Sequence, residues 1–244
     1  MTVIRTDGII CTTRDHGEHG CVVRLFTPDN GLMAGYARGA KSRTKRPVLM
    51  PANLVSAEFR SRTADQLASV EMELRESRAP YYEEPLAAAA FGWATLLTAT
   101  VLPEEQAYAR LYSAFSALLD AIASAPSARG WSAALVRYEL LLLAEMGFGL
   151  DLHQCVASGA EEELIYVSPK SGGAVSRYSA QGREHLLLPL PDFLLSGDTP
   201  GWDQIFDGLK LTGHFIERHF FDGYRADSYM ARQMLLDRLK RAVA

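Results

Sequence analysis

The chain has 244 residues, 48% of them hydrophobic and 22% charged, with a net charge of −4; this excludes a disordered chain and allows one large core or two to three small ones. No run of ~20 apolar residues occurs, because Glu145 follows the Leu140–Leu143 stretch, and this excludes a membrane-spanning helix. Three cysteines (Cys11, Cys21, Cys155) exclude a disulfide framework. With an N-terminus that lacks the basic-then-apolar order of a secretion signal, they predict a soluble cytoplasmic protein.

The first ~80 residues read as five short strands. Val3 to Cys11 marks the first and Cys21–Phe26 the second. Pro28-Asp29-Asn30-Gly31 is a turn, with Pro presetting φ and Asn-Gly tolerating positive φ. Leu32–Ala37 returns antiparallel. Ala52–Arg60 and Gln66–Leu74 follow, the latter with a period of two. Five strands in so short a span predict a small closed barrel, since closure leaves no exposed edge. An OB-like barrel is the leading architecture and an SH3-like barrel the alternative.

The character changes at Ala79-Pro80. Helices are predicted from Glu84 or Pro85 to Thr100, from Glu104 to about Ser124 before Pro126, and from about Ser132 to Met146. The third is apolar almost all round, which implies a helix surrounded by protein and closed by Gly147. Two more are predicted at about Asp203–Phe220 and Asp227–Val243. Residues 147–200 read as irregular apart from a small hairpin, Tyr166-Val167 with Ala174-Val175. The fold class is therefore α+β and multidomain: a barrel over 1–79, then a helical domain over 80–244 with an insertion at 147–200.

Charge divides unevenly along this plan. Residues 1–80 carry 12 Lys/Arg against 9 Asp/Glu, a net of +3, and the remainder carries −7. Across residues 38–62, Arg38, Lys41, Arg43, Lys45, Arg46, Arg60 and Arg62 face only Glu58. A local field of that sign steers a polyanion whatever the total charge.

Enzymatic motifs fail. Gly35-Tyr36-Ala37-Arg38-Gly39-Ala40-Lys41-Ser42 resembles a phosphate-binding loop, but Ala40 replaces its second glycine and no helix follows. There is no Gly-x-Ser-x-Gly elbow and no His-Glu-x-x-His. His214 and His219 lie ~140° apart around a helix, poor placement for one metal. No nucleophile and base pair up, so the expectation is a protein that is not an enzyme and has no small-molecule substrate.

The chain resembles the RecO family of bacterial recombination mediators over essentially its whole length. Tyr36-Ala37-Arg38-Gly39-Ala40-Lys41-Ser42 carries the likeness, as does Arg137-Tyr138-Glu139-Leu140 leading to Gly147-Phe148-Gly149-Leu150. So do Leu152-His153-Gln154-Cys155 and Ser168-Pro169-Lys170-Ser171-Gly172-Gly173-Ala174-Val175. The resemblance implies an OB-fold, a helical domain and a zinc-finger-like insertion. It also implies binding and annealing of single- and double-stranded DNA at the nucleoid, and recombinase loading with a RecR-like protein and single-stranded-DNA-binding protein.

On that reading Arg38, Lys41, Arg43, Lys45 and Arg46 form a mobile cationic arm that gains affinity by counterion release, with Gly39, Ser42 and Thr44 keeping it adaptable. Arg14, Arg24, Arg60 and Arg62 widen the surface, and Tyr36 and Phe59 are candidates for base stacking, against the commoner placement of aromatics on alternating strands as core or rim residues. Arg232, Arg238, Lys240 and Arg241 make the last helix basic, either to extend the DNA path or to suit the helix dipole. Arg137 beside Tyr138 is the candidate cation for the acidic tail of single-stranded-DNA-binding protein, against an internal salt bridge to Glu139 or Glu145. The family's two Cys-x-x-Cys zinc pairs read here Cys155-x-x-Ser158 and Ser176-x-x-Ser179, so no zinc and no other cofactor is expected. The alternative function is a protein-interaction scaffold whose helical domain is the working part.

Overall fold

The computed structural model describes residues 2–63, 66–221 and 226–243, without the side chains of 226 and 227. Two compact units result, one of residues 1–123 with 230–244 and one of residues 124–229.

The first unit opens with β1 (Thr2–His16), β2 (Gly20–Thr27), β3 (Gly31–Arg38), β4 (Leu54–Ser61) and β5 (Ala68–Glu76). They form a closed barrel in the order β1-β2-β3-β5-β4, the OB-like arrangement. Closure depends on the length of β1. Its first half pairs with β4, from Thr2↔Ser61 to Ile9↔Leu54, and its second half with β2, from Ile9↔Phe26 to His16↔Gly20 with a bulge between Ile10 and Thr12. The remaining seam is a short parallel pairing of Gly35 with Ala68 and Tyr36 with Ser69.

Alternation then fills the interior. Cys21, Val23 and Leu25 of β2 point inward with Val55, Ala57 and Phe59 of β4, and Ile10, Met33 and Val70 complete the layer. Phe59 is therefore a core residue at 2% exposure, the inward placement rather than the stacking platform. Gly35 is required by this packing, since a Cβ there would come within 2.9 Å of Phe59 and Val70.

The β3–β4 connection closes one end. Asn53 is fully buried, and its carboxamide nitrogen donates to the carbonyls of Pro47 (2.9 Å) and Val48 (3.1 Å). Its Oδ1 accepts the backbone N–H of Arg78 at 2.8 Å, and its own carbonyl accepts from Ile10 N–H at 3.0 Å. Arg78 is buried as well, its guanidinium paired with Glu76 at 2.8 Å and with Asp120.

A 3-10 turn (Ala79–Glu83) leads to α1 (Pro85–Val101), whose first turn is capped by Glu84 accepting from Ala87 N–H at 2.6 Å. The predicted helix from Glu104 begins later, as α2 (Ala109–Ser124). The intervening residues extend instead: Glu105 N–H donates to Leu32 carbonyl at 3.0 Å and tethers this segment to the start of β3. From α2, Tyr112 and Phe115 place their rings 5.3 Å and 5.9 Å from that of Phe26.

In the second unit, α3 (Ala128–Glu145) packs on α6 (Trp202–Phe220). Gly208 allows the approach, because a Cβ there would meet Val136 at 2.9 Å. Glu139, buried on α3, accepts the hydroxyl of Thr212 on α6. The insertion is more regular than its sequence suggests. β6 (Asp151–Cys155), β7 (Leu164–Val167), β8 (Gly173–Ser176) and β9 (Leu188–Pro189) make a four-stranded sheet, order β6-β8-β7-β9. The predicted hairpin is its centre, pairing Tyr166 with Val175 and Val167 with Ala174. The short helices α4 (Arg177–Ala180) and α5 (Phe193–Ser196) follow β8 and β9.

The last helix, α7 (Ala226–Val243), ends within the first unit. There Arg232 is 2% exposed with its guanidinium 5.9 Å over the Trp93 ring, and Arg238 donates to the Pro85 carbonyl. These two cations dock the helix on α1; Arg232 is thereby buried, while Arg238 stays partly exposed. Lys240 and Arg241 stay exposed. No helix among the described residues is long and apolar enough to cross a membrane.

Replacing Asn53 tests the closure of the barrel end. Asn53→Ala is expected to lower unfolding free energy by about 3 kcal/mol in chemical denaturation, since it strands two carbonyls and an amide. Asn53→Asp should cost more, because a carboxylate would face two carbonyl oxygens.

Candidate nucleic-acid interface

β3 and β4 alternate inward and outward, and the outward positions assemble a cleft from distant stretches of sequence. Tyr36 and Arg38 from β3, Arg60 and Ser61 from β4, and Arg62, Gln66, Leu67 and Ser69 around the β4–β5 connection line a space of about 490 Å³. Four of the residues named from sequence (Tyr36, Arg38, Arg60, Arg62) therefore meet in one place.

Tyr36 is half-buried, and its ring lies over the backbone of Gly20 on β2. A Cβ at Gly20 would come within 2.2 Å of the phenol oxygen, so only glycine leaves room for the ring. His16 meets it edge-on with ring centroids 5.9 Å apart. The glycine and the histidine escape sequence reasoning because the contact is cross-strand, through the pairing of Gly20 with Arg38 and Val22 with Tyr36.

Arg60 also lines a neighbouring cleft of about 430 Å³ with Arg5, Lys45, Glu58, Glu71, Met72 and Glu73. Arg5 is a cation that sequence reasoning left out; it sits opposite Glu58 in the β1–β4 register. Glu58 is held between Arg5 Nε at 2.5 Å and Arg60. Hydrogen bonding from Arg5 first, then from Arg60, holds its carboxyl below the usual carboxylate range. Three cations and three carboxylates line this second cleft, so it is charge-balanced, and the unopposed positive charge lies in the cleft of Tyr36, Arg38, Arg60 and Arg62.

The basic loop is built rather than free, which corrects its reading as a mobile arm. Ser42 N–H donates to Gly39 carbonyl, Arg46 N–H to Ser42 carbonyl, and Val48 and Leu49 N–H to Lys45 carbonyl. Ala40 and Leu49 are buried in the barrel core. Lys45 Nζ donates to the Arg38 carbonyl at 2.8 Å, which holds the loop beside the clefts. On the other side Lys41 and Arg46 line a third space with Asp15, and Lys41 Nζ lies 3.4 Å from that carboxylate. Arg14, Arg38, Arg43, Arg46 and Arg62 are exposed and, among the described residues, have no carboxylate partner.

Arg24 does not join them. Its Nη1 donates to Ala99 carbonyl at 2.6 Å and its Nη2 pairs with Glu104 at 3.0 Å, so it fastens β2 to the end of α1.

In the second unit, Arg137 is exposed and lies 5.1 Å over the Phe193 ring, with Nη2 near the carbonyls of Phe193 (3.4 Å) and Asp198 (3.5 Å). Neither Glu139 nor Glu145 pairs with it; Glu139 is turned into the helix interface. Tyr138 is 2% exposed, so its ring offers no surface to a partner, which corrects its place beside Arg137.

Cys155, Ser158, Ser176 and Ser179 do converge. Cys155 Sγ accepts the backbone N–H of Ser176 at 3.3 Å, and Ser176 Oγ bonds Ser179 Oγ at 3.1 Å. Burial alone would raise the Cys155 thiol. Hydrogen bonds from the Ser158 hydroxyl, the Ser176 N–H, the Ser179 hydroxyl and the Ala157 N–H outweigh it and bring the thiol down to about 5. One sulfur with three alcohols does not fit structural zinc, which takes four Cys or His donors.

Comparison with known proteins covers both halves of the chain. Residues 1–78 match the model of the recombination protein O N-terminal region and residues 83–227 that of the recombination protein O C-terminal region. Among curated proteins, the chain is similar to the DNA repair protein RecO of Phenylobacterium zucineum, 40% identical over 97% of each chain. The same-named protein of Rhodospirillum centenum is 38% identical over 97% of this chain and 94% of its own. That of Bradyrhizobium sp. is 40% identical over 97% and 95%.

Proposed function

The chain belongs to the RecO family of DNA repair proteins, and from that premise we propose that it is a non-enzymatic recombination mediator whose barrel grips single- and double-stranded DNA. The observation that carries this reading is the meeting of Tyr36, Arg38, Arg60 and Arg62 in one cleft, with Lys45 and the rest of the loop beside it.

The chemistry required is modest. Guanidinium and ammonium groups replace condensed counterions along a strand, which favours binding without reading sequence. The half-exposed ring of Tyr36 offers a π-face to one base. A strand held by its phosphates keeps its base edges free, and screening lets a complementary strand approach. Annealing then follows from positioning alone, with no nucleotide cofactor. The working place is the cytoplasm, at the nucleoid, where the protein would help load a recombinase with a RecR-like partner. Arg137, held flat by Phe193 with its head exposed, supplies the cation for the acidic tail of single-stranded-DNA-binding protein.

Salt dependence tests the DNA reading. Lys41→Ala, Arg43→Ala, Lys45→Ala and Arg46→Ala combined should flatten the slope of log K against log salt on single strands by up to about 3. An unchanged slope and affinity would leave the scaffold reading. Arg24→Ala should lower thermal stability and leave the slope as it is.

Tyr36→Ala should weaken single-strand binding roughly 5- to 150-fold by fluorescence anisotropy, the worth of one stacked base. Gly20→Ala should act in the same direction by displacing the ring. Arg137→Glu should reduce binding of an acidic tail peptide by calorimetry while leaving DNA affinity intact.

A further inference from the structure

The turn after β6 is tight. Cys155 N–H donates to Ala160 carbonyl at 2.7 Å and Gly159 N–H returns to Cys155 carbonyl at 2.8 Å. Val156 N–H then donates to Ala174 carbonyl at 2.9 Å, and its side chain covers Gly173, where a Cβ would meet it at 2.0 Å. This brings the Cys155–Ser158 turn against the end of β8, where Ser176 caps α4 by accepting Ser179 N–H at 3.3 Å. Two segments, each with polar side chains three residues apart, thus face one another around a single sulfur. Cys155 is 2% exposed and Ser176 is buried too.

We propose that this knuckle is closed without a metal: Cys155 Sγ, accepting from Ser176 N–H, ties one turn to the other, the Ser176 and Ser179 side chains bond each other beside it, and the four side chains keep a convergence that would hold zinc only if the three serines were cysteines. A metal joins two turns because four anionic donors need a cation between them. Here a sulfur acceptor meets a backbone donor and the serine hydroxyls bond one another, so hydrogen bonds join the turns and only one donor of the zinc-binding kind is present. Alcohols do not ionise near neutral pH and bind zinc poorly, and one thiolate cannot fill a structural site. Leu152, Leu164, Val167, Ala174 and Val175, all buried, supply the apolar part of the same cohesion.

The full-length protein tests this with three variants. Protein purified without chelator should hold far less than one zinc per chain, and its melting temperature should not change with a zinc chelator; stoichiometric zinc would overturn the proposal. The triple variant S158C/S176C/S179C should bind about one Co²⁺ per chain with a thiolate-to-cobalt absorption band, and should melt higher with zinc; a folded triple variant that binds none would overturn the convergence. Cys155→Val keeps the test independent of how that variant folds. It removes the acceptor while staying apolar, and should speed exchange of the Ser176 amide about tenfold, whereas Cys155→Ser should largely preserve its protection. Equal exchange in wild type and Cys155→Val would show that the sulfur holds nothing.

Discussion

A single buried carboxamide ties the basic loop to the barrel. Asn53 has no route to water, so each of its polar atoms must find a protein partner. It finds them in three places: the loop exit at Pro47 and Val48, the strand β1 at Ile10, and the chain leaving the barrel at Arg78. Ala52, just before it, adopts a positive φ of 66°, and that turn is what delivers Asn53 inward. Because those bonds are specific in direction, the cations at 41–46 are presented from a fixed base. A wholly flexible loop would lose conformational entropy on gripping a strand, and this one has lost much of it already.

The same alternation that builds the core builds the proposed grip. Phe59 and Ala57 point in while Arg60 and Glu58 point out; Met33 and Ala37 point in while Tyr36 and Arg38 point out. The basic groups come from strands far apart in sequence and meet because the barrel closes β3 onto β5. Glu58 then acts as a spacer. It fixes Arg5 and Arg60 relative to one another and leaves one charge in excess.

Much of this was legible in the sequence, for reasons that can be stated. Strand and helix positions follow from periodicity, and all five barrel strands and five long helices lie close to where hydrophobic spacing puts them. Residues 104–108 have a helical pattern yet extend, because their pairing partner, Leu32, lies some 70 residues away in sequence. β6 and β9 are short and are held by neighbours rather than by their own pattern. Arg24, Arg232 and Arg238 look like surface cations in a string of letters. Their carbonyl, ring and carboxylate partners appear only once the chain is folded. The Arg137-Tyr138-Glu139 run is equally divided by helix geometry: consecutive residues point about 100° apart, so one faces outward and two face α6 and the interior.

The tether between Leu32 and Glu105 sets how the chain could be divided. Gly31 sits against the backbone of Gln106 so closely that no side chain fits between them. Phe26, with no exposed surface, owes its cover partly to Tyr112 and Phe115. A piece ending at residue 79 would uncover an aromatic ring and leave a strand-like contact open to any passing edge. The smallest self-sufficient fragment must therefore carry the helices that plug the barrel as well as the strands that form it, and an excised β-module would tend to self-associate rather than stand alone.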